Sequence, residues 1–138
     1  MANDPKKKIY LIDDEEMHLT TAELFLKLDY EIHKAKSGQE ALDYINNNKF
    51  IPNIILLDIL MPNMDGWEVF KRMREIEFLK NVPIVFLTSS EEETNLKKAF
   101  KIGADDYIMK PFNMTDLKAR IKDVIKRYEA KKINKGNF

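Results

Sequence analysis

The sequence has no cysteine. Disulfides, thiolate metal sites and a cysteine nucleophile are therefore excluded. It has no excess charge of either sign, with 23 Lys and Arg against 23 Asp and Glu. A balanced chain exerts no general pull on nucleic acid or on an anionic membrane. No apolar run approaches the length of a membrane span, and the polar stretch from Met1 to Lys8 holds no signal-peptide core, so the expected compartment is the cytoplasm. The two histidines, His18 and His33, are isolated in sequence and read as surface residues that form no metal site. No repeat, linker or low-complexity segment interrupts the chain. What is present is ordinary for a globular protein: 138 residues, 44% hydrophobic and 33% charged, enough for one domain with a core of its own.

The organising stretch is Ile54-Ile55-Leu56-Leu57-Asp58. Four apolar residues without alternation indicate a strand covered on both faces, as in a parallel sheet. A second such run, Pro83 to Leu87, ends on Thr88. Lys8 to Ile12 is a third, followed at once by Asp13-Asp14-Glu15-Glu16. Tyr30 to Ala35 alternates and belongs at a sheet edge. Asp106 to Met109 is a last short strand ending on Lys110-Pro111. Helical spacing is read between the strands: Met17 to Leu28, then a helix opened by the capping box Ser37-Gly38-Gln39-Glu40 and stopped by Asn46-Asn47-Asn48. Further helices carry Val69, Phe70, Met73 and Ile76 after Asp65-Gly66, and Leu96, Ala99 and Phe100 between the capping box Ser90-Glu91-Glu92-Glu93 and Gly103. A final helix from Asn113 carries Leu117, Ile121, Val124, Ile125 and Tyr128 on one face.

Strands alternating with helices imply an α/β fold, a parallel sheet with helices on both sides. The flavodoxin-like strand order 2-1-3-4-5 fits, because the most polar strand is then at an edge. The domain spans 7–129, with a flexible segment over 1–6 and a basic tail over 130–138 that reads as a frayed, solvated helix end.

In this topology Asp13, Asp14, Asp58, Thr88 and Lys110 all follow strand ends at one edge of the sheet, the edge at which open α/β sheets bind ligands. Taken singly, Asp13-Asp14 is an acidic helix start, Asp58 a turn residue, and Thr88 and Lys110 surface residues. Together they form a site. Three close carboxylates repel unless a cation sits among them. With only oxygen ligands expected, the metal would be hard: Mg²⁺, which keeps its waters, rather than caged Ca²⁺. A metal, the Lys110 ammonium and the Thr88 hydroxyl around one carboxylate would neutralise a transferring phosphoryl group. Asp58 is ionised at neutral pH and needs no general base to act as the nucleophile.

The segments Ile12-Asp13-Asp14, Leu57-Asp58-Ile59-Leu60-Met61-Pro62-Asn63-Met64-Asp65-Gly66, Thr88-Ser89 and Lys110-Pro111 together resemble the receiver domain of bacterial two-component response regulators. The resemblance runs from about Lys7 to Tyr128. It implies that Asp13 and Asp14 hold Mg²⁺ (or Mn²⁺), that Asp58 is both phosphoacceptor and metal ligand, and that the backbone carbonyl of Leu60 completes the protein ligands. It implies that Thr88 and Lys110 contact the phosphoryl oxygens and that the Lys110–Pro111 peptide is cis. Tyr107 matches the family's switch aromatic, which turns inward when the Thr88 hydroxyl moves, although an aromatic in a strand is also ordinary packing. Leu60 and Ser90 occupy variable positions that tune phosphoryl lifetime.

The implied partners are a histidine kinase or histidine phosphotransfer protein as donor and an unknown output protein, with no direct nucleic-acid or membrane contact. The chain would be a monomer or a phosphorylation-dependent dimer, acting alone or as the receiver part of a hybrid kinase or larger regulator. It would not be a conventional enzyme, since it would catalyse only its own phosphorylation and dephosphorylation. Three other readings are weighed. An Asp-nucleophile phosphatase usually carries a second acid two residues after the nucleophile, and Leu60 stands there. A constitutive interaction module would leave the acidic pocket without purpose. A flavodoxin would need a Ser/Thr/Gly phosphate loop where Asp13-Asp14-Glu15-Glu16 would repel phosphate.

Overall fold

The computed structural model describes residues 4–89 and 93–136, the last five of these by their backbone. Five strands and five α-helices alternate: β1 (Lys7–Ile12), α1 (Glu16–Leu26), β2 (Tyr30–Ala35), α2 (Gly38–Asn48), β3 (Ile54–Leu57), α3 (Gly66–Arg74), β4 (Ile84–Thr88), α4 (Glu93–Lys101), β5 (Asp106–Met109) and α5 (Met114–Gly136). All strand pairs are parallel, and the order is β2-β1-β3-β4-β5. The alternating strand is at the edge and the wholly apolar strands are central, as the covering of their two faces requires.

Strand parity divides the core in two. Tyr10, Ile12, Ile55, Leu57, Ile84, Phe86 and Tyr107 face the helices α2, α3 and α4. Their chain neighbours Ile9, Leu11, Ile54, Leu56, Val85, Leu87 and Ile108 face α1 and α5. The helices supply the matching stripes, Leu19, Ala22 and Leu26 of α1 and Leu117, Ile121, Val124 and Ile125 of α5.

Several element ends differ from the sequence reading. The α1 helix stops at Leu26, and Leu28 is an exposed turn residue beyond the stripe of Leu19, Ala22 and Leu26, with Phe25 partly buried beside it, that enters the core. The Asn46–Asn48 run lies inside α2, which ends on Asn48 because Lys49 takes a left-handed conformation with φ 47°. Ile76 lies past the end of α3, leading into a 3-10 turn at Glu77–Leu79. The Ser37 cap forms, its side chain accepting from the Glu40 N–H at 3.1 Å, but the return bond of the expected box is displaced by one residue, with Glu40 Oε2 accepting from the Lys36 N–H. The capping box at Ser90 lies outside the described residues, as does Ser90 as a lifetime-tuning position. The expected segments 1–6 and 130–138 are described only in part, with α5 continuing as far as Gly136. No helix among the described residues is long and apolar enough to cross a membrane.

Gly38 sets how closely α2 meets α3. A Cβ there would lie 2.3 Å from Val69 Cγ2, a branched side chain that cannot swing away. Gly38→Ala should therefore separate the two helices and cost about 1–3 kcal/mol, the usual scale of overpacking. Chemical denaturation checks it, and an unchanged midpoint would show that the two helices tolerate a wider spacing.

Candidate functional site at the carboxyl edge of the sheet

Sheet hydrogen bonding continues one residue past the strands, and this brings the polar residues together. The Asp13 N–H donates to Ala35 O at 3.1 Å, the Asp58 N–H to Ile12 O at 3.0 Å and the Lys110 N–H to Thr88 O at 2.9 Å. Asp58 is thereby locked beside the end of β1, and Lys110 beside the end of β4. The loop after Asp58 turns through Asn63, with φ 68°, and α3 begins with the Asp65 side chain accepting from the Glu68 N–H. The Gly66 N–H donates to Ile59 O at 2.8 Å. At Gly66 a Cβ would lie 2.3 Å from the Asp58 carbonyl oxygen. Only glycine lets α3 start this close to Asp58.

Asp13 and Asp58 are buried, and Thr88 is inaccessible. Asp13, Asp14 and Asp58 each offer a carboxylate oxygen within 4.8 Å of the others. Lys110, with its side chain 9% exposed, forms an ion pair with Asp13. Asp58 is only 5% exposed. Burial lifts its pKa from 3.8 to about 6; the nearby Lys110 charge pulls it down, Asp13 pushes it up, and hydrogen bonds from Thr88 and the Ile59 N–H lower it. Asp14 Oδ1 is buried and has no hydrogen-bond partner. A cluster of carboxylates with an orphaned buried oxygen suits a hard divalent cation bound by oxygen ligands.

The family comparison agrees with this arrangement. Residues 9–122 match the model of the response regulator receiver domain. The chain belongs to the response regulator receiver domain family.

This receiver domain is 39% identical over 118 residues to the transcriptional regulatory protein CrdR of Helicobacter pylori, a match covering 85% of this chain and 54% of CrdR. It is 38% identical over 124 residues to the transcriptional regulatory protein SrrA of Staphylococcus aureus, covering 89% of this chain and 49% of SrrA. The chain thus spans about half the length of the curated relatives it matches. Among solved structures, the chemotaxis protein CheY4 of Vibrio cholerae superposes with a TM-score of 0.78 at 28% identity, covering 86% of this chain and 98% of CheY4.

The remaining sequence-derived residues are positioned as follows. The Lys110–Pro111 peptide is cis. Leu60, two residues beyond Asp58, leaves its side chain 63% exposed at the rim. Tyr107 is already buried in the α2–α4 layer, 6.5 Å from the Phe86 ring.

His18 was missed. Its side chain is 34% exposed, and its Nδ1 lies 2.7 Å from Lys110 Nζ and 3.4 Å from Asp13 Oδ2. A histidine therefore borders the acidic site, although the cluster of candidate ligand atoms is made of the carboxylates of Asp13, Asp14 and Asp58. The signal was available in the spacing. His18 and Ala22 are i and i+4 on the buried stripe of α1, and side chains in a first turn lean back toward the preceding loop, here Asp13-Asp14.

The raised pKa of Asp58 has a stability consequence for the metal-free protein. Between pH 3.8 and about 6 the folded chain holds this proton more tightly than the unfolded chain. Stability therefore falls as pH rises through that window, and the full penalty persists above it. Asp58→Asn removes the penalty and should stabilise the metal-free protein at neutral pH by roughly 2–3 kcal/mol. The gain should vanish below about pH 4. Denaturation in chelator across pH checks this, and a gain independent of pH would assign the effect to something other than the Asp58 charge.

Proposed function

We propose that this receiver domain is a phosphoacceptor switch in which Asp58 takes a phosphoryl group from a phosphohistidine of a histidine kinase or phosphotransfer protein. The observation that carries the reading is the buried Asp58 carboxylate at the centre of two further carboxylates, the Thr88 hydroxyl and the Lys110 ammonium. An Asp58 carboxylate oxygen attacks phosphorus as the P–N bond breaks, and the departing imidazole nitrogen takes up a proton. The Lys110 ammonium and the Thr88 hydroxyl then donate to the phosphoryl oxygens on Asp58. Asp13, Asp14, Asp58 and the Leu60 carbonyl would hold a divalent cation, supported by the orphaned Asp14 oxygen. Bound there, Mg²⁺ or Mn²⁺ supplies positive charge to the phosphoryl oxygens.

The output follows from Thr88 and Tyr107. A hydroxyl drawn toward the phosphoryl group changes the packing of Tyr107 against Phe86, and so the surface of α4, β5 and α5. That surface exposes Leu96, Phe100 and Met109 beside the Arg120–Asp106 pair. A change of about 1–3 kcal/mol in partner affinity is the usual scale of such coupling. The partner is a protein, or an effector segment joined to the receiver domain, as the names of CrdR and SrrA suggest for regulators of transcription. The expected compartment is the cytoplasm, where kinases of this type present their phosphohistidine.

Intact mass spectrometry after incubation with acetyl phosphate and Mg²⁺ tests the chemistry. One added phosphoryl group is expected on the wild type and none on Asp58→Asn or in excess chelator. Labelling that survives either control sinks the assignment. Beryllofluoride, a phosphoryl mimic, provides a second readout through Trp67 fluorescence. The Trp67 ring lies 4.9 Å from Phe86, beneath the Lys98 ammonium at 4.4 Å. An unmoved spectrum together with no added mass would indicate an interaction module indifferent to phosphorylation.

A further inference from the structure

Lys110 has a second partner besides Asp13. Its Nζ lies 2.7 Å from His18 Nδ1. An ammonium has only donors, so the imidazole accepts, with its lone pair on Nδ1 and its proton on Nε2. The surroundings agree, because His18 Nε2 lies 3.4 Å from Glu15 Oε2, a carboxylate that can only accept at neutral pH. A chain runs from Glu15 through His18 to Lys110 and on to Asp13, joining the start of α1 to the end of β5. His18 also divides two spaces. With Asp13 and Asp58 it lines a small inner cavity. With Lys110, Ser89 and Phe112 it lines an outer cleft.

From this geometry we infer that His18 is a positioning residue for Lys110. A free lysine side chain loses extensive rotamer freedom when it is fixed on a ligand. Here Asp13 and His18 occupy two of the three ammonium protons before any ligand arrives, and Lys110 is nearly buried. The ordering is therefore complete in the resting protein, and the third proton engages a phosphoryl oxygen without that loss. Without His18, the ammonium is held from the Asp13 side alone and settles fully onto that carboxylate. The inference rests on the reading of Asp58 as the phosphoryl acceptor, but the contact itself is testable in the resting protein.

Two measurements test it. In the unliganded wild type at mildly alkaline pH, long-range ¹H–¹⁵N spectra should show the Nε2–H tautomer of His18, with an Nδ1 resonance that moves in Lys110→Met. The Nδ1–H tautomer, or a resonance indifferent to Lys110→Met, overturns the contact whatever the phosphoryl chemistry does. The second measurement is a beryllofluoride titration with Mg²⁺, read by Trp67, on the isosteric pair His18→Leu and His18→Asn. Asn keeps an acceptor oxygen near the Nδ1 position, and Leu does not. Affinity should fall about three- to tenfold in His18→Leu, the scale of one hydrogen bond, and stay near wild type in His18→Asn. Equal affinities for the two variants, or tighter binding by His18→Leu, would remove the positioning role. Wild-type protein that takes up no beryllofluoride, yet shows the expected nitrogen shifts, would retain the resting contact and count against both the acceptor reading and the positioning role built on it.

Discussion

Everything at this site depends on the ladder of backbone hydrogen bonds that extends one residue beyond the strands. Those bonds fix Asp58 against β1 and Lys110 against β4 before any side chain contributes. The side chains then inherit an electrostatic problem, namely three carboxylates in a space that the sheet will not let them leave. Lys110 answers part of it through its pairing with Asp13. The rest appears as the raised pKa of Asp58 and the unpartnered oxygen of Asp14. A site of this kind is destabilising by design, and the destabilisation is what a cation or a phosphoryl group can relieve.

The surrounding packing keeps the problem from being relaxed away. Gly66 brings the start of α3 against the Asp58 backbone, and Gly38 brings α2 against α3. The layer between them is filled by Val69, Phe70, Met73 and Phe86. A core packed to this density does not yield smoothly, so charge placed at its edge shifts elements between discrete positions more readily than it deforms them.

Much of this was legible in the sequence. Apolar runs without alternation gave buried parallel strands, the alternating run gave the edge, and together they put five polar residues at one rim. The strand order follows from the same patterns. Helix ends were less legible, because Leu28 and Ile76 are apolar residues that continue a helical spacing past the last helical residue, Leu28 as an exposed turn residue and Ile76 packed partly against the core from the following turn. The three asparagines of α2 looked like a stop, yet exposed helix positions tolerate them at small cost. His18 escaped notice because a lone histidine has no motif. Its importance comes from a tertiary neighbour 92 residues away in the chain, which periodicity cannot supply.

Strand parity has one more consequence. Thr88 and Tyr107 share the parity of Phe86, and so belong to the layer of α2, α3 and α4. Lys110 shares the parity of Ile108 and, with His18, stands over the layer of α1 and α5. The sheet is a partition one residue thick, and Asp58 sits at its rim with Lys110 and His18 on one side and Thr88 and Tyr107 on the other. Substitutions that repack one compartment leave the other's contacts in place, so the setting of Lys110 and the packing of Tyr107 can be altered separately although both compartments meet at a single carboxylate.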